Sequence, residues 1–249
     1  QSYLWTNGAT SQNISGLAPG TYSVSITGIS GCVTVLGATI GSALPPKASI
    51  CLVTVNESSN QNQVSWEKPF VNGISHFNIY RESSQAGLYQ FIGSKAYSDA
   101  PVFTDTVASP DARSWRYKVA SVNDCGIESE WSSSHKTIHL TVNRGLQNDI
   151  NLSWDKYEGF AYSNFILKRY TYTHGWEQIA TMPNNLFTYT DQPPSTAGLT
   201  YVVTVNAPGA CSGITVTRSN RDNRFSTDQP NSLAELIGQS IRFYPNPAN

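Results

Sequence analysis

Four cysteines (Cys32, Cys51, Cys125 and Cys211) and four histidines (His76, His135, His139 and His174) are the residues of this 249-residue chain best suited to redox or metal chemistry. His135 and His139 have the i, i+4 spacing that brings two imidazoles to one ion, but only on a helix. On a strand, at about 3.3 Å per residue, they stand about 13 Å apart. They are therefore expected to be solvated strand histidines, and no metal site is assigned. Asp105 and Asp191 both follow a threonine and read as residues that hold strand-end turns. Asp99, Asp111 and Asp124 lack the spacing of a calcium loop. No H-E-x-x-H, G-x-S-x-G, P-loop or dinucleotide-binding pattern occurs, so no catalytic residue and no cofactor is assigned, and the chain reads as not an enzyme. One stretch, from Phe165 to Trp176, has the residues to bind. If Phe165 and Leu167 face a core, Tyr170 and Tyr172 share the outward face. With Trp176 they offer rings on which sugars can stack, the alternative being that they pack on neighbouring side chains of the same sheet.

The elements that position these residues must be strands. Hydrophobic residues make up 39% and aromatics 11% of the chain, enough to bury real cores, while charged residues make up only 13%. A net charge of −1 excludes nucleic acid and anionic membrane as main partners, since both require a concentrated positive field. The most apolar stretch, Val33 to Leu44, is interrupted by Thr34, Gly37, Thr39, Gly41 and Ser42, so no membrane-inserted helix is expected. Residue 1 is Gln and no signal peptide is present, so the chain reads as a processed or cut piece of something longer.

The chain repeats itself. Val64-Ser65-Trp66 returns as Leu152-Ser153-Trp154, Phe77–Arg81 as Phe165–Arg169, and Gly87–Ile92 as Gly175–Ala180, all at an offset of 88 residues. Phe103-Thr104-Asp105 returns as Tyr189-Thr190-Asp191 at 86, and Tyr117-Lys118-Val119 as Tyr201-Val202-Val203 at 84. The drift falls between the matches, where loops shorten. Two homologous domains, residues 50–136 and 137–226, are expected. Within each, apolar residues alternate with period two and turn residues recur every ten positions or so, the pattern of a β-sandwich. Each has an early Trp (Trp66, Trp154) and a Tyr-x-Val opening its sixth strand (Tyr117, Tyr201), where a tyrosine corner would sit. The pair resembles tandem fibronectin type III modules. The fold class is thus all-β, tandem immunoglobulin-like or fibronectin type III-like sandwiches preceded by a partial β-module. Residues 135–140 join the two without Gly or Pro, which predicts a semi-rigid rod.

The resemblance also suggests a disulfide. Cys51 opens the first strand of the first sandwich and Cys125 lies in the turn between its sixth and seventh, places that share one end of such a fold. A Cys51–Cys125 bridge would close about 75 residues and contribute about 4 kcal/mol in the chain-entropy model, the alternative being two buried thiols. Cys211 occupies the position equivalent to Cys125 without a Cys at the start of its own unit. A partner in the missing upstream strands and a free thiol are the alternatives for Cys32, and the pairing of Cys32 and Cys211 stays open.

The two ends differ from the middle. In residues 1–41, Trp5-Thr6-Asn7-Gly8-Ala9-Thr10 and Leu17-Ala18-Pro19-Gly20-Thr21-Tyr22-Ser23-Val24 resemble the repeat of SprB-type gliding adhesins, lacking its opening strands. Residues 42–49 form a Pro-containing linker. Residues 227–240 are a second, polar linker, expected to be loose beyond Thr227. In residues 241–249, Tyr244-Pro245-Asn246-Pro247 resembles the start of a type A sorting domain of the type IX secretion system. Together the resemblances imply a non-catalytic structural or adhesive stalk of a large protein, secreted or held on the outer surface of a Gram-negative bacterium. Its partners would be the type IX machinery and a surface polysaccharide or glycan. The alternative implied is an accessory carbohydrate-binding region of an exported glycanase or protease with its catalytic domain upstream.

Overall fold

The computed structural model of the protein describes residues 1–41, 44–194 and 198–223. The predicted sorting motif Tyr244–Pro247 and both segments 227–240 and 241–249 lie outside them. The first three strands, β1 (Ser2–Trp5), β2 (Gly20–Thr27) and β3 (Val33–Ile40), form an antiparallel meander. Gly8, at φ +88°, donates to Trp5 O at 2.8 Å and closes the expected Asn-Gly turn. This sheet buries Val24 alone among its apolar side chains, and Leu4, Val33, Val35 and Leu36 stay exposed.

Period-two alternation then builds two sandwiches of one plan. The first pairs the sheet of β4 (Ser49–Val55), β5 (Asn62–Glu67) and β8 (Val102–Asp105) with the sheet of β6 (Ile74–Glu82), β7 (Tyr89–Ala96), β9 (Arg116–Asn123) and β10 (His135–Lys136). The second pairs β11 (Leu140–Arg144), β12 (Ile150–Trp154) and β15 (Thr188–Asp191) with β13 (Asn164–Thr171), β14 (Gly175–Pro183), β16 (Thr200–Cys211) and β17 (Ile214–Arg218). This is the expected all-β, fibronectin type III-like class. The core repeats with it: Trp66 lies 5.4 Å from Phe77 and Trp154 lies 5.6 Å from Phe165, ring centre to ring centre. Truncating either tryptophan would cost about 3–5 kcal/mol.

The recurrent aspartates do more than hold turns. Asp105 Oδ1 accepts from the N–H groups of Val107 and Ala108, as a turn residue should. Asp105 Oδ2 accepts from Arg81 Nη1 at 2.7 Å and from the Tyr117 hydroxyl at 3.0 Å. Burial pushes this carboxyl up, but Arg81 and the two N–H groups outweigh it and hold it below its ordinary value. The set recurs as Arg169, Asp191 and Tyr201, with the Tyr201 hydroxyl 2.6 Å from Asp191. The position of a tyrosine corner is thus occupied, but the hydroxyl finds a carboxylate at the end of the facing sheet.

The predicted Cys51–Cys125 bridge is not formed. Cys51 is joined to Cys211, with Cα atoms 5.8 Å apart, and Cys125 is a free, exposed thiol, as is Cys32. Two local features explain the change. A β-bulge between Ile50 and Leu52 breaks the alternation of β4 at Cys51. And β16 runs twelve residues, four more than its counterpart β9, so its hairpin reaches the first sandwich. Cys211 pairs with Ile214 across a two-residue turn in which Ser212 (φ 49°) and Gly213 (φ 83°) both take the left-handed conformation of a tight hairpin. The bridge spans 160 residues and ties one sandwich to the other.

Other bonds reinforce this clamp. Thr217 Oγ1 donates to Val53 O at 2.6 Å, and Arg218 N donates to Thr54 Oγ1 at 3.0 Å. The expectation of solvated strand histidines fails at His135, which is 4% exposed. Its ring stands edge-on to Tyr157 and Phe160, two aromatics of the loop after β12. The Tyr157 hydroxyl accepts from Val53 N at 3.2 Å and lies 2.9 Å from His135 Nδ1, so a neutral imidazole taking its proton satisfies all three groups. Burial holds the imidazole pKa down to about 4. A Cβ on Gly159 would lie 2.3 Å from this ring, so the junction requires glycine there. His139 is separate, its Nε2 3.2 Å from Asp111 O.

Candidate functional site

Each four-stranded sheet has an inward face, carrying Ile79 and Val119 or Leu167 and Val203, and an outward one. Register matches the outward faces residue for residue. Tyr80 opposite Phe91 corresponds to Lys168 opposite Gln178, and Glu82 opposite Tyr89 corresponds to Tyr170 opposite Trp176. Ser132 and Ser219 each accept, through Oγ, the N–H of the core valine beside them (Val119, Val203), so Trp131 corresponds to Arg218.

In the second sandwich Tyr170 lies 6.1 Å from Tyr172 and 5.5 Å from Trp176, so the three aromatics form one ladder. Tyr172 is 83% exposed. The guanidinium groups of Arg218 and Arg221 stand 6.0 and 5.8 Å from the Trp176 ring. Glu57, in the first turn of the other sandwich, reaches across to pair with Arg218 at 3.0 Å and Arg221 at 3.3 Å. Its hydrogen bond and charge contact with Arg218, the largest influence, hold the carboxyl below its ordinary value. Val202 and Thr204 point outward yet are buried, because Thr54, Val55, Asn56 and Gln63 face them across a cleft of about 430 Å³. Lys168 also lines this cleft.

The first sandwich carries a cluster that the sequence reading missed. Lys118 stands 4.7 Å from the Tyr89 ring and 5.3 Å from the Trp131 ring. Tyr80 lies 4.9 Å from Trp131 and 6.0 Å from Phe91. The Tyr80 hydroxyl donates to Glu128 at 2.6 Å, and burial, followed by this carboxylate, pushes its pKa up to about 12. Phe91 remains 57% and Trp131 39% exposed. The signal available was the outward parity of Tyr80, Tyr89 and Phe91. Trp131 lies outside the regular strands, where alternation does not reach it.

Among the described residues no cluster of three or more His, Cys, Asp or Glu side chains could hold a metal ion. No helix of the described residues is long and apolar enough to cross a membrane.

No family model matches the chain, and no curated protein matches it. Similar solved structures include pectate lyase PelI from Erwinia chrysanthemi, 16% identical over 37% of this chain and 27% of that one, with a TM-score of 0.30. The chicken CNTN1 FN1-FN3 domains are 11% identical over 89% of each chain, with a TM-score of 0.27. The chicken interferon gamma receptor alpha chain is 13% identical over 71% of this chain and 96% of that one, with a TM-score of 0.26. Only 27% of the pectate lyase chain is spanned. Likenesses this distant say nothing about ligand or activity.

Proposed function

We propose that this chain is a non-catalytic structural and adhesive segment of a large surface protein exported by the type IX route of a Gram-negative bacterium. The observation that carries this reading is the clamp between the sandwiches. A disulfide across 160 residues, the buried Tyr157–Val53–His135 contact and the Glu57 ion pairs fix one module on the next. Fixed spacing transmits position and force, which is what a stalk must do. The disulfide also fits an oxidising compartment. The export part of the reading rests on the Tyr244-Pro245-Asn246-Pro247 motif and on the adhesin-like turn at Trp5–Thr10. Antibody against residues 44–223 should label intact cells that make the parent protein, and labelling should vanish in a strain lacking the type IX translocon. Equal labelling of both strains would overturn the export reading.

A second reading, an accessory carbohydrate-binding region of an exported glycanase or protease, is favoured by one observation. The outward aromatics Tyr80, Tyr89, Phe91 and Trp131 remain partly open to solvent, as sugar-stacking rings must be.

A further inference from the structure

The geometry points to the cleft between the sandwiches as a binding site for a uronic acid unit of an acidic polysaccharide. At about 430 Å³ the cleft falls within the size range of small-ligand sites. Val202 and Val216 give it apolar lining, and Trp176, whose ring already takes the Arg218 and Arg221 guanidinium groups, adds an aromatic side to the wall. Asn56 Nδ2 and Gln63 Oε1, which have no hydrogen-bond partner among the described residues, can meet sugar hydroxyls, whereas the Thr204 hydroxyl already donates to Ile166 O. Charge selects the acid. Glu57 is the sole carboxylate among the lining residues, and it is engaged by Arg218 and Arg221. Lys168 has no hydrogen bond or ion pair of its side chain among the described residues, so an unneutralised ammonium lines a half-enclosed space. Such a group favours a ligand carboxylate, more strongly there than in open water. A phosphate would want a free arginine fork or a nest of N–H groups, and Arg218 is already paired with Glu57. The site is composite, with walls from both sandwiches, and it goes beyond the stalk reading, since the clamp would hold the modules with or without a ligand.

Calorimetry on the full chain tests this with tetragalacturonate and tetramannuronate as probes. Methyl-esterified tetragalacturonate serves as the neutral control and tetraglutamate as the acidic peptide control. One of the acidic oligosaccharides should bind at least tenfold more tightly than the ester, and binding should weaken as salt rises. Lys168→Met should weaken it at least tenfold, while Lys47→Met, at an exposed lysine outside the cleft lining, should leave it unchanged. The ester and salt comparisons need no variant, so they decide the matter even if a substitution disturbs folding. The proposal is overturned by no binding of either oligouronide at about 1 mM, by equal binding of ester or tetraglutamate, or by indifference to Lys168→Met. Any of these would leave the surface-labelling result untouched.

Discussion

Arg218 and Trp131 occupy the same place on the outward faces of two sheets built to one plan, yet Arg218 is 14% exposed and Trp131 39%. Arg218 stands opposite Thr204 with Trp176 and Glu57 beside it; around Trp131 stand Tyr80, Tyr89 and Lys118. The face that meets the other sandwich sets Lys168 and Arg218 beside Trp176 and is engaged by a carboxylate from across the junction, and its aromatic ladder runs on to the exposed Tyr172. The face left open is aromatic. Exposed aromatic surface mixed with a few polar groups is the composition of an interaction site, not of a merely solvated wall. Duplication thus supplied two equivalent faces, one taken for the joint between modules and one left open to solvent.

The sharpest way to break this contrast is to release the joint. Replacing Cys51 and Cys211 together by serine removes a cross-link over 160 residues, worth about 5 kcal/mol in the chain-entropy model. Urea unfolding of the oxidised wild type and of the double variant measures it. Hydrogen exchange at Val202 and Thr204 should then rise, while exchange at Lys118 and Ala120 stays as it was. Unchanged protection at Val202 would mean that the covered face owes nothing to the clamp.

Acid should act on the joint next most strongly. His135 titrates near 4 in the folded protein and near 6.5 when unfolded (about the reference value). The unfolded chain therefore binds the proton first. The stability of the neutral, buried imidazole is fully present above about pH 6.5 and is lost as pH falls towards 4, by about 3 kcal/mol in all. Denaturation midpoints followed from pH 7.5 to 4 should slope accordingly, and His135→Gln should flatten the slope. A wild-type profile flat between these values would show that the junction does not depend on the neutral ring.

Much of the fold could be read directly. Trp66 and Trp154, Asp105 and Asp191, and Tyr117 and Tyr201 each recur because each closes the same core, and the 84–88-residue offsets record that repetition. The clamp could not be read. Which cysteine meets Cys51 depends on a bulge at that residue and on the four extra residues of β16, features of register and length that residue type does not encode. His135 was misread for a related reason. Its own strand is two residues long and looks solvent-facing, and what buries it comes from Tyr157 and Phe160 of the next module. Alternation placed Tyr170 outward, but it carries no sign of which outward face another module will cover.

The smallest expected effect is also the one that sharpens the comparison most. Lys118 lies between the rings of Tyr89 and Trp131 and has no ion pair among the described residues. If the aromatic face is open and held for a ligand, this cation contributes only what a partly exposed cation–π contact supplies, about 0.5–1 kcal/mol. Lys118→Met keeps the length and apolar stem of the side chain, so its packing is preserved and the charge alone is removed. Chemical denaturation should show a loss within that range, and the Tyr89 and Trp131 rings should become more mobile by NMR. Arg218→Met on the joint should cost more, because Arg218 also pairs with Glu57 across the modules. A loss of more than about 2 kcal/mol for Lys118→Met, beyond what such a contact normally supplies, would recast the aromatic cluster of the first sandwich as part of the scaffold. The open face would then be built for stability, and the difference between the two sandwiches would no longer be one between a joint and a binding surface.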